Sequence, residues 1–146
     1  MEIATSVSDV TQDVSTRPRI LLVDDHADSV RPMQLFLEAT GYQVTTAHSV
    51  AAALRAVTEE DFDLLVSDLG LPDGSGEDLI RQLQDMGHKL QSIALSGYGT
   101  EQDVARSLAA GFQLHLTKPV LPHLLRTTID SLLANRAAQP VSDVRA

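Results

Sequence analysis

The sequence predicts an α/β protein, a doubly wound parallel sheet built from five βα units in one domain. Three observations carry that reading. Short β-branched and leucine-rich runs alternate five times with stretches whose apolar residues recur at helical spacing. The connections are short, so successive strands run parallel with a helix crossing between them, and helices cover both faces. At 146 residues and 43% hydrophobic content, the chain suits one real core.

The elements follow in order. The opening MEIATSVSDVTQDVSTRP is rich in Ser, Thr and Asp without apolar period, so residues 1–17 read as a disordered tail. It lacks the basic and apolar regions of a secretory signal. The first strand, 19–23, is too short for a helix of its own and reads as buried. Met33, Phe36 and Leu37 share one face of the first helix, which ends at Gly41 as a C-cap. Pro32 offers no N–H, so this helix either starts near Ser29 or loses one bond. Strand 42–46 follows, then Val50, Ala53, Leu54 and Val57 at i, i+3, i+4, i+7. Strand 64–68 precedes a stripe of Leu79, Ile80 and Leu83. Strand 92–96 precedes Val104 and Leu108, and strand 113–117 precedes Leu121, Leu124, Leu125, Thr128 and Leu132. The domain is expected over 18–137, with a flexible tail at 138–146. The tetrapeptide VSDV occurs in both tails and reads as coincidence in low-complexity sequence.

Composition removes several function classes. No cysteine means no disulfide and no thiolate metal site, which suits a cytoplasmic protein. No stretch approaches the roughly 18 apolar residues of a membrane span. A net charge of −9 and a pI near 4.8 argue against direct nucleic-acid binding, which needs clustered Lys and Arg. With 3% aromatic residues and no Trp, a stacking platform for single strands is also missing.

In open parallel sheets ligands bind beyond the carboxyl ends of the strands, where the strand order switches. Here strand one is followed by Asp24 and Asp25, strand three ends in Asp68, strand four in Ser96, and strand five just before Lys118 and Pro119. Each group alone has a plain reading: Asp and Ser cap helices, and a Lys before Pro sits in a loop. Their coincidence on one sheet edge outweighs it, and no glycine-rich phosphate loop competes.

The adjacent aspartates pose an energetic problem. At about 5 Å and an effective dielectric near 20, their repulsion is on the order of 3 kcal/mol. Three carboxylates share a small pocket only with a cation, and an all-oxygen site favours Mg²⁺, Mn²⁺ or Ca²⁺. Asp68 is then free to act as a nucleophile towards a phosphoryl group, with the metal and Lys118 neutralising its oxygens and Ser96 donating to a third.

The segments LLVDDH, LLVSDLGLPDGSG, IALSGYG and LTKPV, in this order and spacing over about 18–136, resemble the receiver domain of two-component response regulators. The resemblance implies a flavodoxin-like (βα)5 sheet of order 2-1-3-4-5. It implies that Asp68 is the phosphoacceptor, that Asp25 and Asp68 bind Mg²⁺ (or Mn²⁺) directly, and that Asp24 holds it mainly through water. Gly70 would offer its backbone carbonyl to the metal. Ser96 and Lys118 would bind the phosphoryl group. Pro72, Gly74 and Gly76 would shape the loop after strand three, and Pro119 would follow the lysine through a cis bond. The phosphoryl donor would be a histidine kinase or histidine phosphotransfer domain. A downstream protein partner would dock on the face of the fourth helix, fifth strand and fifth helix. No separate catalytic domain is expected, beyond the domain's promotion of its own dephosphorylation.

One position departs from the common pattern. Where many receivers carry Tyr or Phe three residues before the lysine, this chain has His115, and GFQLHLTKPV is similar to receivers of hybrid histidine kinases. His115 reads either as a partly buried spacer or as a switch ring sensitive to pH between about 5 and 8, since protonation opposes burial. His26 is expected to hydrogen-bond locally, and His48, His88 and His123 to lie on the surface. No output segment fits in the ten or so residues after the fifth helix, so the expectation is a single-domain regulator or the receiver segment of a hybrid kinase. Two other readings remain beside the phosphorelay receiver: a metal-dependent phosphatase of the haloacid dehalogenase type, and a non-phosphorylated interaction module. The phosphatase wants its nucleophile in an Asp-x-Asp after strand one, which adjacent Asp24 and Asp25 do not supply.

Overall fold

The computed structural model describes residues 17–138; residues 1–16 and 139–146, which hold nearly all of the two expected tails, lie outside the described residues. The chain runs β1 (Arg19–Val23), α1 (Ala27–Ala39), β2 (Gln43–Ala47), α2 (Val50–Glu59), β3 (Leu64–Asp68), β4 (Gly70–Leu71), β5 (Gly74–Ser75), α3 (Gly76–Asp85), β6 (Gln91–Ser96), α4 (Glu101–Ala110), β7 (Leu114–Thr117) and α5 (Pro122–Ala138). β4 and β5 pair only with each other, as a small antiparallel hairpin. The other five strands form one parallel sheet in the order β2-β1-β3-β6-β7, the predicted 2-1-3-4-5 when sheet strands alone are counted. Among the described residues no helix is long and apolar enough to cross a membrane.

Alternation along the strands builds two cores. Ile20, Leu22, Leu64, Val66, Ile93 and Leu95 face one side and pack with Val30 and Leu37 of α1 and Leu125 and Ile129 of α5. Leu21, Val23, Leu65 and Ala94 face the other and meet α2, α3 and Ala110 of α4. Leu65, Leu79 and Leu83 are fully buried, and burial of each such side chain is worth about 1.5–3 kcal/mol. The stripes expected on α2 and α3 are the ones that pack.

Several boundaries and faces differ from expectation. β2 begins at Gln43, because the Tyr42 N–H closes the end of α1 on the Leu37 carbonyl (3.2 Å) and the Gly41 N–H bonds Glu38 (3.2 Å). That closure needs the left-handed backbone of Gly41, φ 114°. α1 starts at Ala27, two residues earlier than Ser29, and carries Pro32 inside it at an exposed position. The lost bond therefore lies on the solvent side, where water can replace it. On α4 the buried residues are Ser107 and Ala110, not Val104 and Leu108; the small residues let the helix approach the sheet, and Leu108 is left 42% exposed. On α5 two leucine-rich stripes overlap. The sheet takes Leu125 and Ile129, and leaves Leu121 and Leu124 exposed.

The loop after β3 is held from both sides. Gly76 donates to the Leu69 carbonyl at 2.9 Å. A Cβ on Gly76 would stand 2.6 Å from the Asp68 carbonyl oxygen, so only glycine fits there. Further along, the Asp73 carboxylate accepts from the amides of Val50 (2.8 Å) and Ala51 (3.0 Å), while Ser49 Oγ accepts from Ala52 (3.0 Å). The first three amides of α2 are thus capped, two of them by a residue more than twenty positions away. The donors of Ala51 and then Val50 hold the Asp73 carboxyl below its ordinary range. A depressed folded value stabilises above the unfolded pKa and is lost as pH falls through the folded one. Asp73→Ala should lower the melting temperature at pH 7, with the gap to the parent closing on acidification. An equal deficit at pH 7 and pH 3 would assign the loss to something other than this charge.

Candidate functional site

Parallel register brings the strand ends level. Val23 pairs with Ser67, Asp68 with Leu95, and Ser96 with Thr117. Asp24, Asp68, Ser96 and Lys118 therefore gather on one edge, as their sequence positions predict. The side chains of Asp24 and Asp68 are only 5% and 10% exposed. Two carboxylates so far from water need a cation, and Lys118 supplies it: Nζ donates to Asp68 Oδ2 at 3.0 Å and to Asp24 Oδ2 at 3.3 Å. Burial works against the ammonium. The hydrogen bond and charge of Asp68, joined by Asp24, outweigh it and hold the Lys118 pKa above the ordinary lysine range. The Lys118 N–H donates to the Ser96 carbonyl at 2.7 Å, and the peptide to Pro119 is cis.

Asp25 stands apart from this bridge, with a third of its side chain exposed. Three carboxylates against one ammonium leave two negative charges on the edge when imidazoles are counted neutral. One oxygen each from Asp24, Asp25 and Asp68 and one ring nitrogen of His26 all lie within 4.8 Å of one another. Hard oxygen donors in this number suit a divalent cation such as Mg²⁺. Gly70 opens the small hairpin two residues beyond Asp68 and is exposed.

Ser96 is buried, and its Oγ accepts from the Tyr98 amide at 2.9 Å. Accepting leaves the hydroxyl proton to be donated elsewhere. His115 is partly buried on β7. Its Nδ1 lies 2.8 Å from Ser107 Oγ and its Nε2 3.2 Å from the Tyr98 carbonyl, so the ring links α4 to the loop that leaves Ser96.

Sequence reasoning overlooked some participants. Ser107 reads as an unremarkable mid-helix serine, and only its burial against His115 marks it. His48 is exposed as expected, yet its Nδ1–H donates to the Asp24 carbonyl at 2.9 Å. His123 is exposed, whereas His88 is partly buried. His26 does bond locally: its amide donates to Asp24 Oδ1 at 2.9 Å, and its Nδ1 lies near both aspartates.

The chain is similar to known proteins. Residues 20–130 match the family described as response regulator receiver domain. An uncharacterised 14.6 kDa protein of Leptolyngbya boryana is 39% identical over 105 residues, covering 70% of this chain and 80% of that one. Response regulator SaeR of Staphylococcus epidermidis is 33% identical over 115 residues, or 79% of this chain and 50% of its own length. Transcriptional regulatory protein PrrA of Mycobacterium tuberculosis is 32% identical over 127 residues, covering 87% of this chain and 54% of its own. The chain thus spans about half the length of these two regulators. A solved CheY-like receiver domain protein from Methanospirillum hungatei superposes with TM-score 0.75 at 29% identity, covering 84% of this chain and 98% of that one. A two-component response regulator from Clostridium difficile, 21% identical, shares the fold at TM-score 0.79 over 82% of this chain and 98% of its own. With the family matched over most of its length, the chain belongs to the receiver domains of two-component response regulators.

Proposed function

We propose that this domain is a phosphoacceptor in a histidine-to-aspartate relay, switched by an aspartyl phosphate on Asp68. The observation that supports it most is the buried Asp68 carboxylate in direct contact with Lys118 beside the remaining acidic pair. An Asp68 oxygen attacks phosphorus in the phosphohistidine of a kinase or phosphotransfer domain, the P–N bond breaks, and the imidazole leaves. Lys118 exchanges part of its bonding with Asp68 for a phosphoryl oxygen. The Ser96 hydroxyl donates its free proton to another. Asp25, Asp68 and the Gly70 carbonyl would hold Mg²⁺, or Mn²⁺, with Asp24 bonded to its waters. That ion supplies charge neutralisation on the phosphoryl oxygens.

The readout is proposed for the face of α4, β7 and α5. Leu108, Leu114, Leu121 and Leu124 are all more than a third exposed there, and Tyr98 at its rim is 74% exposed. Such an apolar face suits a protein partner. A phosphoryl group shifts the conformation only by bonding one state better than the other. Ser96 is the group able to do so: it follows the phosphoryl oxygen, releases the Tyr98 amide, and thereby loosens the loop whose carbonyl meets His115.

With Mg²⁺ and a cognate phosphorylated kinase, or a small acyl phosphate, the protein should gain one hydroxylamine-labile phosphoryl group by intact mass. Full labelling of Asp68→Asn would sink the assignment. Melting curves test the metal. Without metal, Asp25→Asn should melt at or slightly above the parent and gain less from Mg²⁺, because it removes one of three negative charges crowded on the edge. Lys118→Met should lose about 1–3 kcal/mol without metal, less than a fully buried pair because its side chain is 30% exposed. A raised lysine pKa stabilises at all pH values below the unfolded one, so that loss should be constant across neutral pH. An Asp25→Asn protein that collapses without Mg²⁺ would make the acidic pair a structural element instead. By NMR, beryllofluoride should shift Ser96, His115 and residues 100–110. Silence of His115 and α4, with a response only at Asp68 and its loop, would mean that phosphate is passed on without this switch.

A further inference from the structure

His26 occupies the N-cap position of α1, yet its side chain makes no capping bond. An N-cap side chain ordinarily accepts from the first amides of its helix. Here the ring instead faces the carboxylates, with Nδ1 at 3.2 Å from Asp24 Oδ1 and 3.0 Å from Asp25 Oδ1. A ring nitrogen of His26 also belongs to the group of four donor atoms that includes Asp68. Two-thirds of the side chain is exposed, so water and ions reach it freely.

We propose that His26 Nδ1 is a nitrogen ligand that gives this centre a preference for late first-row divalent cations, Co²⁺, Ni²⁺ and Zn²⁺, over Mg²⁺. The inference rests on the reading of the carboxylate cluster as a metal centre. Carboxylate and carbonyl oxygens suit Mg²⁺, whereas an imidazole added to the set favours Zn²⁺ and Ni²⁺. Spacing agrees with shared coordination: with bonds of about 2.1 Å, neighbouring donors on one ion stand roughly 3.0–3.4 Å apart. The two Nδ1–oxygen separations fall within that interval. Nδ1 coordination leaves Nε2 pointing to solvent and fixes the start of α1 to the metal. A late first-row ion therefore competes with Mg²⁺ for the centre and ties the first helix to it.

Calorimetric titration of the untagged chain with Mg²⁺, Ni²⁺ and Zn²⁺, on parent and His26→Gln, tests this. Ni²⁺ and Zn²⁺ should bind the parent more tightly than Mg²⁺, and His26→Gln should weaken both by about tenfold or more while leaving Mg²⁺ nearly unchanged. Imidazole nitrogen NMR during Zn²⁺ addition should move Nδ1 of His26 and leave the rings of His88 and His123 in place. Equal weakening of all three ions, or no weakening of any, would make the ring a plain hydrogen-bonding neighbour of the aspartates and overturn the proposal. That failure differs from failure of the underlying reading, in which neither Mg²⁺ nor Zn²⁺ binds the parent. The exposed position of His26 keeps the variant folded, which its melting curve verifies.

Discussion

One ammonium between two buried carboxylates organises this molecule. Asp24 and Asp68 end neighbouring strands with almost no access to water, and Lys118 reaches both from the far side of the sheet. Removing either carboxylate leaves the ammonium serving one partner; removing the ammonium leaves two negative charges in a poor solvent for them. The bridge crosses from β1 to the end of β7, so it depends on all the strands ending at one level. Parallel register secures that, and the hydrophobic layers on both faces secure the register. Asp25, left outside the bridge, meets the His26 ring at the mouth, where a cation can use its charge.

The loop after β3 is fastened on both sides of its course. Gly76 lets α3 begin directly against the Asp68 carbonyl, and Asp73 fastens the middle of the loop to α2. The connection on the side of Ser96 is held differently. There the connection passes through an exposed Gly97, Tyr98 and Gly99; Tyr98 bonds Ser96 and His115, and Gly99 lies against Thr117.

His115 and the small residues Ser107 and Ala110 belong to one device. A helix that buries serine and alanine sits close to the sheet but turns its larger side chains outward, which is why Leu108 joins Leu114, Leu121 and Leu124 on the surface. The ring of His115 couples that helix to the Ser96 loop through its two nitrogens. The exposure of Leu108 thus follows from the sheet being satisfied by small residues on this helix.

Much of this was legible in the residues alone. Alternating strand and helix periods define the doubly wound sheet, and Asp24, Asp68, Ser96 and Lys118 lie one at each strand end, so parallel topology alone brings them together. Gly41 and Gly76 likewise mark places where the backbone demands glycine. Contacts between segments distant in the chain were beyond such reading. Asp73 looks like an ordinary turn residue until α2 lies beside it, and His48 reaches the Asp24 carbonyl only after β1 and β2 pair. The faces of α4 and α5 were misread for the same reason: each offers more apolar residues than one side of a sheet can bury. Local periodicity announces that a helix is amphipathic, but which stripe turns inward is decided by the space that the other elements leave.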